Sequence, residues 1–64
     1  MKIEEVKKNL GRVVKYKGST DSYKLIACIL RRGKEGFYYQ AEILDMRHGN
    51  SVIICKLEDI EVIE

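Results

Sequence analysis

His48 is the only histidine of this 64-residue chain, and Asp45 and Ser51 lie three residues to either side of it. A serine, a histidine and a carboxylate perform nucleophilic catalysis when hydrogen bonds join them in series. Neighbours within one hairpin turn do not usually reach that geometry, and a chain this short has little room for a walled pocket. We therefore expect His48 to be a solvated turn residue and the protein to have no catalytic residues.

Cys28 and Cys55 are the two cysteines, and both stand within apolar runs. Zinc sites and redox pairs use cysteines at short, characteristic spacings, whereas these two are 27 positions apart. The sequence also lacks the glycine-rich motif of a phosphate-binding loop. We predict that both thiols act as small buried hydrophobic groups, and we expect no metal and no cofactor.

The charged residues are divided unevenly along the chain. Residues 1–34 contain ten Lys and Arg against three Asp and Glu, whereas residues 35–64 contain two against seven. Basic side chains contact nucleic-acid phosphates, and tyrosine rings stack on bases. The candidates for such a surface are Arg12, Lys15, Lys17, Lys24, Arg31, Arg32 and Lys34, with Tyr38 as a stacking ring. The alternative is an ordinary solvated face, which a pI near 8.6 favours, because nucleic-acid-binding domains are usually more basic.

Length and composition limit the fold to one domain, residues 1–64. The chain is 45% hydrophobic and 34% charged and contains no proline, which indicates a compact fold rather than a disordered segment. No apolar run approaches the roughly 18 residues of a membrane span, and the first residues lack the apolar region of a signal peptide. We expect a cytoplasmic protein without membrane contact.

The first element is predicted to be a short helix over residues 2–9. Ile3, Val6 and Leu10 follow helical spacing, and Gly11 stands where a left-handed residue ends a helix. From residue 12 the pattern alternates, which predicts a strand with Val14 and Tyr16 facing inward. Two turns of helix are unstable alone, so the apolar stripe must pack on another element.

The next two strands form a long central hairpin. Residues 23–30 are apolar on both parities, which requires either a covering helix or a bend that exchanges the two faces halfway along. Residues 31–36 are predicted to be a polar turn. In the following strand, Phe37, Tyr39, Ala41 and Ile43 alternate with more polar residues, so we expect these four side chains to face the core.

The remaining elements are a turn with Gly49 and Asn50 at positive φ, a fourth strand over residues 51–56, one 3₁₀ turn over residues 57–60 and a closing strand over residues 61–64. One helix followed by five short strands predicts a mainly β fold, a five-stranded antiparallel small barrel over residues 11–64. Closure of the barrel would leave no exposed strand edge.

This order of elements resembles the small barrels of the Src-homology-3 type, including Tudor-like and KOW-type modules. The resemblance rests on the hairpin from Tyr23 to Asp45, the shorter hairpin after it and the turn Leu57-Glu58-Asp59-Ile60. It implies a fold and no binding residues, because the loop from Gly18 to Ser22 lacks the aromatic cluster with which such barrels hold proline-rich peptides. The chain is also similar to short uncharacterised reading frames of bacterial phages and mobile elements.

Two functions of a non-catalytic binding module follow from these residues. The first is nucleic-acid contact through the basic candidates. The second is protein binding, as an adaptor or as a monomer that weakly homodimerises, through an apolar patch on the outer face of the central hairpin. The patch would join Tyr38 and Leu44 to exposed atoms of Leu25 or Ile29, and the acidic residues Glu58, Asp59, Glu61 and Glu64 could meet a basic partner.

Overall fold

A computed structural model describes residues 1–63. The protein is mainly β, with one short helix and one five-stranded antiparallel sheet that holds 54% of the described residues. In chain order the elements are α1 (Ile3–Asn9), β1 (Val13–Tyr16), β2 (Tyr23–Gly33), β3 (Gly36–Asp45), β4 (Ser51–Lys56), a 3₁₀ turn (Leu57–Asp59) and β5 (Ile60–Val62).

Helix α1 begins one residue later than predicted and ends at the predicted residue. The Glu5 carboxylate accepts a hydrogen bond from the main-chain N–H of Lys2, which satisfies a donor at the start of the helix. Gly11 has a φ of 82°, as expected after a helix end, and its N–H donates to the Leu25 carbonyl of β2. The buried Val6 fixes this short helix to the core.

The strand order in the sheet is β4-β3-β2-β1-β5, and every neighbouring pair is antiparallel. Within residues 1–63, the two outermost strands do not pair with each other, so the sheet is open and the closed barrel of the prediction is not confirmed. Strand β5 has only three residues, and all three pair with β1 on one of its two edges. Strand β4 is therefore left with one free edge.

The long strand β2 contains an irregularity at Ile26. Leu25 pairs with Ile43 and Ala27 pairs with Glu42, so Ile26 is an extra residue without a partner, as in a β-bulge. Before the bulge, Tyr23 and Leu25 are buried, and after it Cys28 lies opposite the buried Ala41. Before the bulge the odd-numbered residues of β2 face the core, and after it the even-numbered residues do. This exchange of faces was one of the two alternatives predicted for residues 23–30.

The core lies between α1 and one face of the sheet, which we call the inner face. Its members share almost complete burial: Val6, Val14, Tyr23, Leu25, Ala41, Ile43, Cys55 and Ile60. The inward parity predicted for β1 and for the second half of β3 is therefore confirmed. Tyr16, which is half-buried, packs edge-on against Tyr23 with ring centroids 5.4 Å apart.

Two inward predictions for β3 are wrong. Phe37 is 72% exposed and Tyr39 is also exposed, although both share the parity of Ala41 and Ile43. The reason is that β4 ends opposite Gln40 and β2 is paired with β1 only at its start, so the hairpin continues beyond the body as two strands without a neighbouring strand on either side. The turn is also shorter than predicted, since β2 runs to Gly33 and β3 starts at Gly36. We call residues 30–39 the arm.

The end of the chain follows the prediction closely. The 3₁₀ turn is confirmed, and the closing strand begins at Ile60, one residue earlier than expected. Ile60 is fully buried, which ties the last strand to the core. The predicted acidic residue Glu64 lies outside the described residues. In residues 1–63, α1 is too short to span a membrane.

Candidate nucleic-acid interface

The arm exposes more large apolar surface than any stretch of similar length in the body. Four of its side chains have exposed fractions between 43% and 72%: Leu30, Phe37, Tyr38 and Tyr39. Exposed apolar side chains concentrated on a projecting segment are typical of a binding surface. The molecule is accordingly elongated, with a longest dimension of 35 Å against 23 and 20 Å.

Each face of the arm carries one arginine beside one aromatic ring. Arg31 lies opposite Tyr38 on the outer face, and Arg32 lies opposite Phe37 on the inner face. Residues directly opposite in antiparallel strands have Cβ atoms about 5 Å apart, so each guanidinium can reach a group that stacks on the ring. Lys34 adds a third cation in the turn, next to Glu35. The arm therefore places two of its three cations beside an exposed aromatic ring.

Tyr38 packs against the backbone of the turn. A Cβ placed on Gly33 would lie 3.1 Å from Cε1 of Tyr38, which is tighter than ordinary van der Waals contact. The ring can therefore lie this close to the strand only because residue 33 has no side chain. One ring face covers Gly33, and the side chain remains 46% exposed.

The four other basic candidates lie on the body. Lys24 is on the outer face of β2. Six paired steps of about 3.3 Å, with the bulged Ile26 not counted, separate it from Arg31 by about 20 Å. Lys15 lies opposite Glu61, which offsets its charge. Arg12 and Lys17 flank the two ends of β1. The structure thus brings together Arg31, Arg32 and Tyr38 and does not join them to these four basic residues.

The sequence analysis missed an open groove between the arm and the body, with a volume of about 600 Å³. Its lining comes from three separate segments: Met1 and Lys2, residues 38–40, and residues 56–58. The amino group of Met1 donates to the carbonyl of Leu57 at 2.6 Å, which holds the first segment beside the third. Because these segments are distant in sequence, no local pattern indicated the groove.

The outer face of the sheet forms a second apolar surface. Leu44 lies opposite Val52, and Glu42 lies opposite Ile54. Val52 and Ile54 are 51% and 50% exposed, and Leu44 is half-buried. The predicted contribution of Leu25 to this patch is wrong, because Leu25 is fully buried on the inner face. Ile29 does belong to the outer face, opposite Gln40, and is half-buried.

A polar cluster joins two loops at the other end of the body. Oδ1 of Asp45 accepts hydrogen bonds from the N–H groups of Arg47 and His48, and Oδ2 lies 3.0 Å from Nδ1 of the His48 ring. Arg47 then donates to Asp21 at 2.9 Å. Ser51 donates to the main-chain carbonyl of His48, so its hydroxyl is directed away from the ring. The cluster fastens the loop before β2 to the turn before β4.

Asp21, Asp45 and His48 place three potential metal-ligand atoms within 4.8 Å of one another. Their hydrogen bonds already account for the arrangement. Burial would raise the pKa of Asp45, but the hydrogen bonds from the His48 ring and from two main-chain N–H groups outweigh it and lower the pKa below its usual value. Asp45 is thus an ionised acceptor that orders the turn. Asp21 was not predicted to lie near His48, because it is 24 residues from Asp45 in the sequence.

Neither cysteine is paired in residues 1–63. Cys28 and Cys55 occupy the same cross-strand row, one on each side of Ala41, so two strand spacings, about 9.5 Å, separate their backbones. That distance is too long for a disulfide. Burial raises the pKa of both thiols, and Asp59 raises that of Cys55 further. The prediction of buried thiols is confirmed for Cys55, whereas Cys28 is half-buried.

Comparison of the chain with protein-family models, with curated proteins and with solved structures gave no match. The arm and the outer face are the two surfaces whose geometry indicates a function.

Proposed function

We propose that this protein is a non-catalytic binding module that contacts nucleic acid through its arm. The observation that carries the proposal is the exposure of Phe37, 72% of whose surface is open to solvent directly opposite Arg32. A phenyl ring has no polar group that water can solvate. Leaving it exposed loses the stabilisation that burial of an aromatic side chain would give a small domain. An adjacent cation suits the phosphate that accompanies every base.

The magnitudes fit a modest, salt-sensitive interaction. Stacking of a base on an aromatic side chain contributes about 1–3 kcal/mol, and both Phe37 and Tyr38 offer a ring. Three cations at phosphates would give a slope of roughly −2 to −3 in a plot of log affinity against log salt concentration. The cations are Arg31, Arg32 and Lys34. The four basic candidates on the body add a long-range attraction rather than contacts.

The fold proposal is a partly open small barrel of the Src-homology-3 type, in which β4 and β5 face the seam and stay unpaired with each other. Support comes from the strand order, which places the first strand between the second and the last, and from the 3₁₀ turn before β5. In this arrangement the central hairpin is free to extend beyond the body. The fold carries no function with it.

A salt titration with labelled single- and double-stranded DNA and RNA tests the proposed function. We expect binding at low ionic strength that weakens as salt is added. Arg32→Ala should reduce affinity and flatten the slope by about one. Lys24→Ala is the matched control, since it removes the same charge from an exposed strand residue of the body and should have a smaller effect. Absence of binding at low salt, or equal effects of the two variants, would contradict the proposal.

The second candidate function is protein binding through the outer face, favoured by the half-exposed Val52 and Ile54 next to Leu44. Capture of partners from a lysate before and after nuclease treatment separates the two candidates. Partners that depend on the arm and disappear with nuclease support nucleic-acid binding. Partners that survive nuclease and are lost in Val52→Lys support the adaptor.

A further inference from the structure

The free edge of β4 has none of the usual protection against strand pairing. Its four central residues, 52–55, are Val, Ile, Ile and Cys, without a charge, a proline or a bulge. Natural sheets normally protect an exposed edge with one of these features or with a very short strand. The other edge, β5, is protected by having only three residues. The arm also has unpaired edges, because β1 pairs with β2 only at Tyr23 and Lys24, but there Arg31 and Arg32 supply the protecting charges. Among the described residues, β4 is therefore the edge best able to accept another strand.

The sequence of β4 is suited to a second copy of itself. Antiparallel pairing about a two-fold axis at Ile53 places Ile53 opposite Ile53 and Val52 opposite Ile54 of the other copy. Opposite residues share a face, so Val52 and Ile54 would form apolar pairs across the outer face. Pairing about Ile54 would instead set Lys56 against Val52. The apolar pattern therefore favours the register centred on Ile53.

The charges at the two ends of β4 are complementary in the same register. The turn before the strand carries Arg47 and His48, and the 3₁₀ turn after it carries Glu58 and Asp59. A two-fold axis at Ile53 brings the first turn of one copy beside the second turn of the other. Within one copy Arg47 lies 2.9 Å from Asp21 and Glu58 lies 3.8 Å from Lys56, but both side chains are 73% exposed and can be shared with charges of the second copy. Opposite charges at both ends help to fix the register.

We propose that the protein forms a two-fold symmetric dimer in which the β4 strands of two copies pair about Ile53 and continue the sheet across the seam. The isologous contact is closed, because each copy uses the same edge and the pairing leaves neither β4 edge free for a third copy. The arms lie on β2 and β3, away from the seam, so they remain exposed in the dimer. This inference is independent of nucleic-acid binding.

Light scattering after size exclusion, over a range of protein concentrations, tests the association. We expect a mass approaching twice 7.4 kDa as concentration rises. Ile54→Lys should shift the protein to the monomer. Val13→Lys is the matched control, because Val13 is 42% exposed on the outer face of β1, away from the edge, and it should leave the dimer intact. A wild-type monomer at every concentration, or dissociation in both variants, would overturn the proposal.

Cross-linking tests the register without relying on a destabilised variant. In a Cys28→Ala, Cys55→Ala background, Ile53→Cys should form a disulfide-linked dimer on oxidation, because the two residues 53 face each other. Ile54→Cys should cross-link much more slowly. The reverse result, or a ladder of higher species, contradicts the proposed pairing. Adding Phe37→Ala to the Ile53→Cys protein changes only the arm. The yield of cross-linked dimer should therefore stay the same.

Discussion

The body and the arm are built from the same two strands and yet have opposite surroundings. In the body, β2 and β3 lie between further strands and under α1, and Leu25 and Ile43 are fully buried. In the arm, the same strands continue alone, and Phe37 is 72% exposed on the face that buries Ile43. The difference lies in the neighbours, because the alternation of side chains is the same in both regions.

This contrast separates stability from binding within one hairpin. The body supplies the buried apolar surface on which a small domain depends. The arm contributes little buried surface and presents cations and rings to solvent. Substitutions should therefore affect folding in one region and ligand affinity in the other.

The largest effect is expected for Ile43→Ala. Truncating a fully buried isoleucine removes apolar contacts and leaves a cavity, which costs about 2–5 kcal/mol of unfolding free energy. For a 64-residue domain, that is a large share of the total stability. Chemical denaturation followed by circular dichroism measures it. The matched substitution in the arm is Phe37→Ala, on the same strand and the same face.

Phe37→Ala should change the unfolding free energy by no more than about 0.5 kcal/mol, since the ring is exposed. It should weaken nucleic-acid binding by about five-fold or more, as expected for one lost stacking contact. Fluorescence anisotropy with a labelled oligonucleotide measures this loss. A strongly destabilised Phe37→Ala would remove the distinction between body and arm.

An intermediate effect is expected for Asp45→Asn. The pKa of Asp45 is lowered in the folded protein, so its ionised form contributes stability at pH values above about 4, and that contribution disappears as pH falls through the folded pKa. The variant should melt at a lower temperature than the wild type at pH 7. The difference should shrink on acidification. Melting curves between pH 7 and pH 2 test the sign, and a difference that grows at low pH would contradict it.

The smallest effect is expected for Gly33→Ala. The new methyl group would lie 3.1 Å from the Tyr38 ring and displace it by a few tenths of an ångström. We expect a reduction in nucleic-acid affinity of a few-fold with an unchanged melting temperature. In a Tyr38→Ala background the same substitution should have no effect on affinity. An equal loss in both backgrounds would show that the ring is not the affected group.

Local sequence patterns predicted most of the body. Helical spacing at Ile3 and Val6 predicted α1, and the double apolar parity of residues 23–30 allowed the exchange of faces that the bulge produces. The exposure of Phe37 could not be predicted in this way. Alternation shows that Phe37 is on the same face of β3 as Ile43, but it does not show how far the neighbouring strands extend along β3. The bounds of β4, residues 51–56, were predicted correctly, but the point at which its pairing with β3 ends, at Gln40, is given only by the register.

The candidate site was predictable in part for the same reason. Arg31, Arg32 and Tyr38 are close in the hairpin, so a local pattern could group them. Lys24 shares β2 with Arg31 but lies on the body, because each step along a strand moves a residue about 3.3 Å further. Lys15 lies on β1, and β2 is paired with β1 only at its start. The contact between Asp21 and Arg47 joins distant loops, and no spacing rule could have indicated it.

The unpaired Ile26 makes the central hairpin tolerant of shortening at one position. Because Ile26 has no partner in the ladder, a chain lacking it keeps every other pair of β2 and β3 in place, with Leu25 inward and Ala27 outward as before. Loss of a paired residue such as Ile29 would instead misalign all the pairs beyond it. What the deletion would remove is the extra local twist that a bulge adds. Ile26 therefore sets the direction in which the arm projects from the body. The register of the arm is determined by the paired residues of β2 and β3.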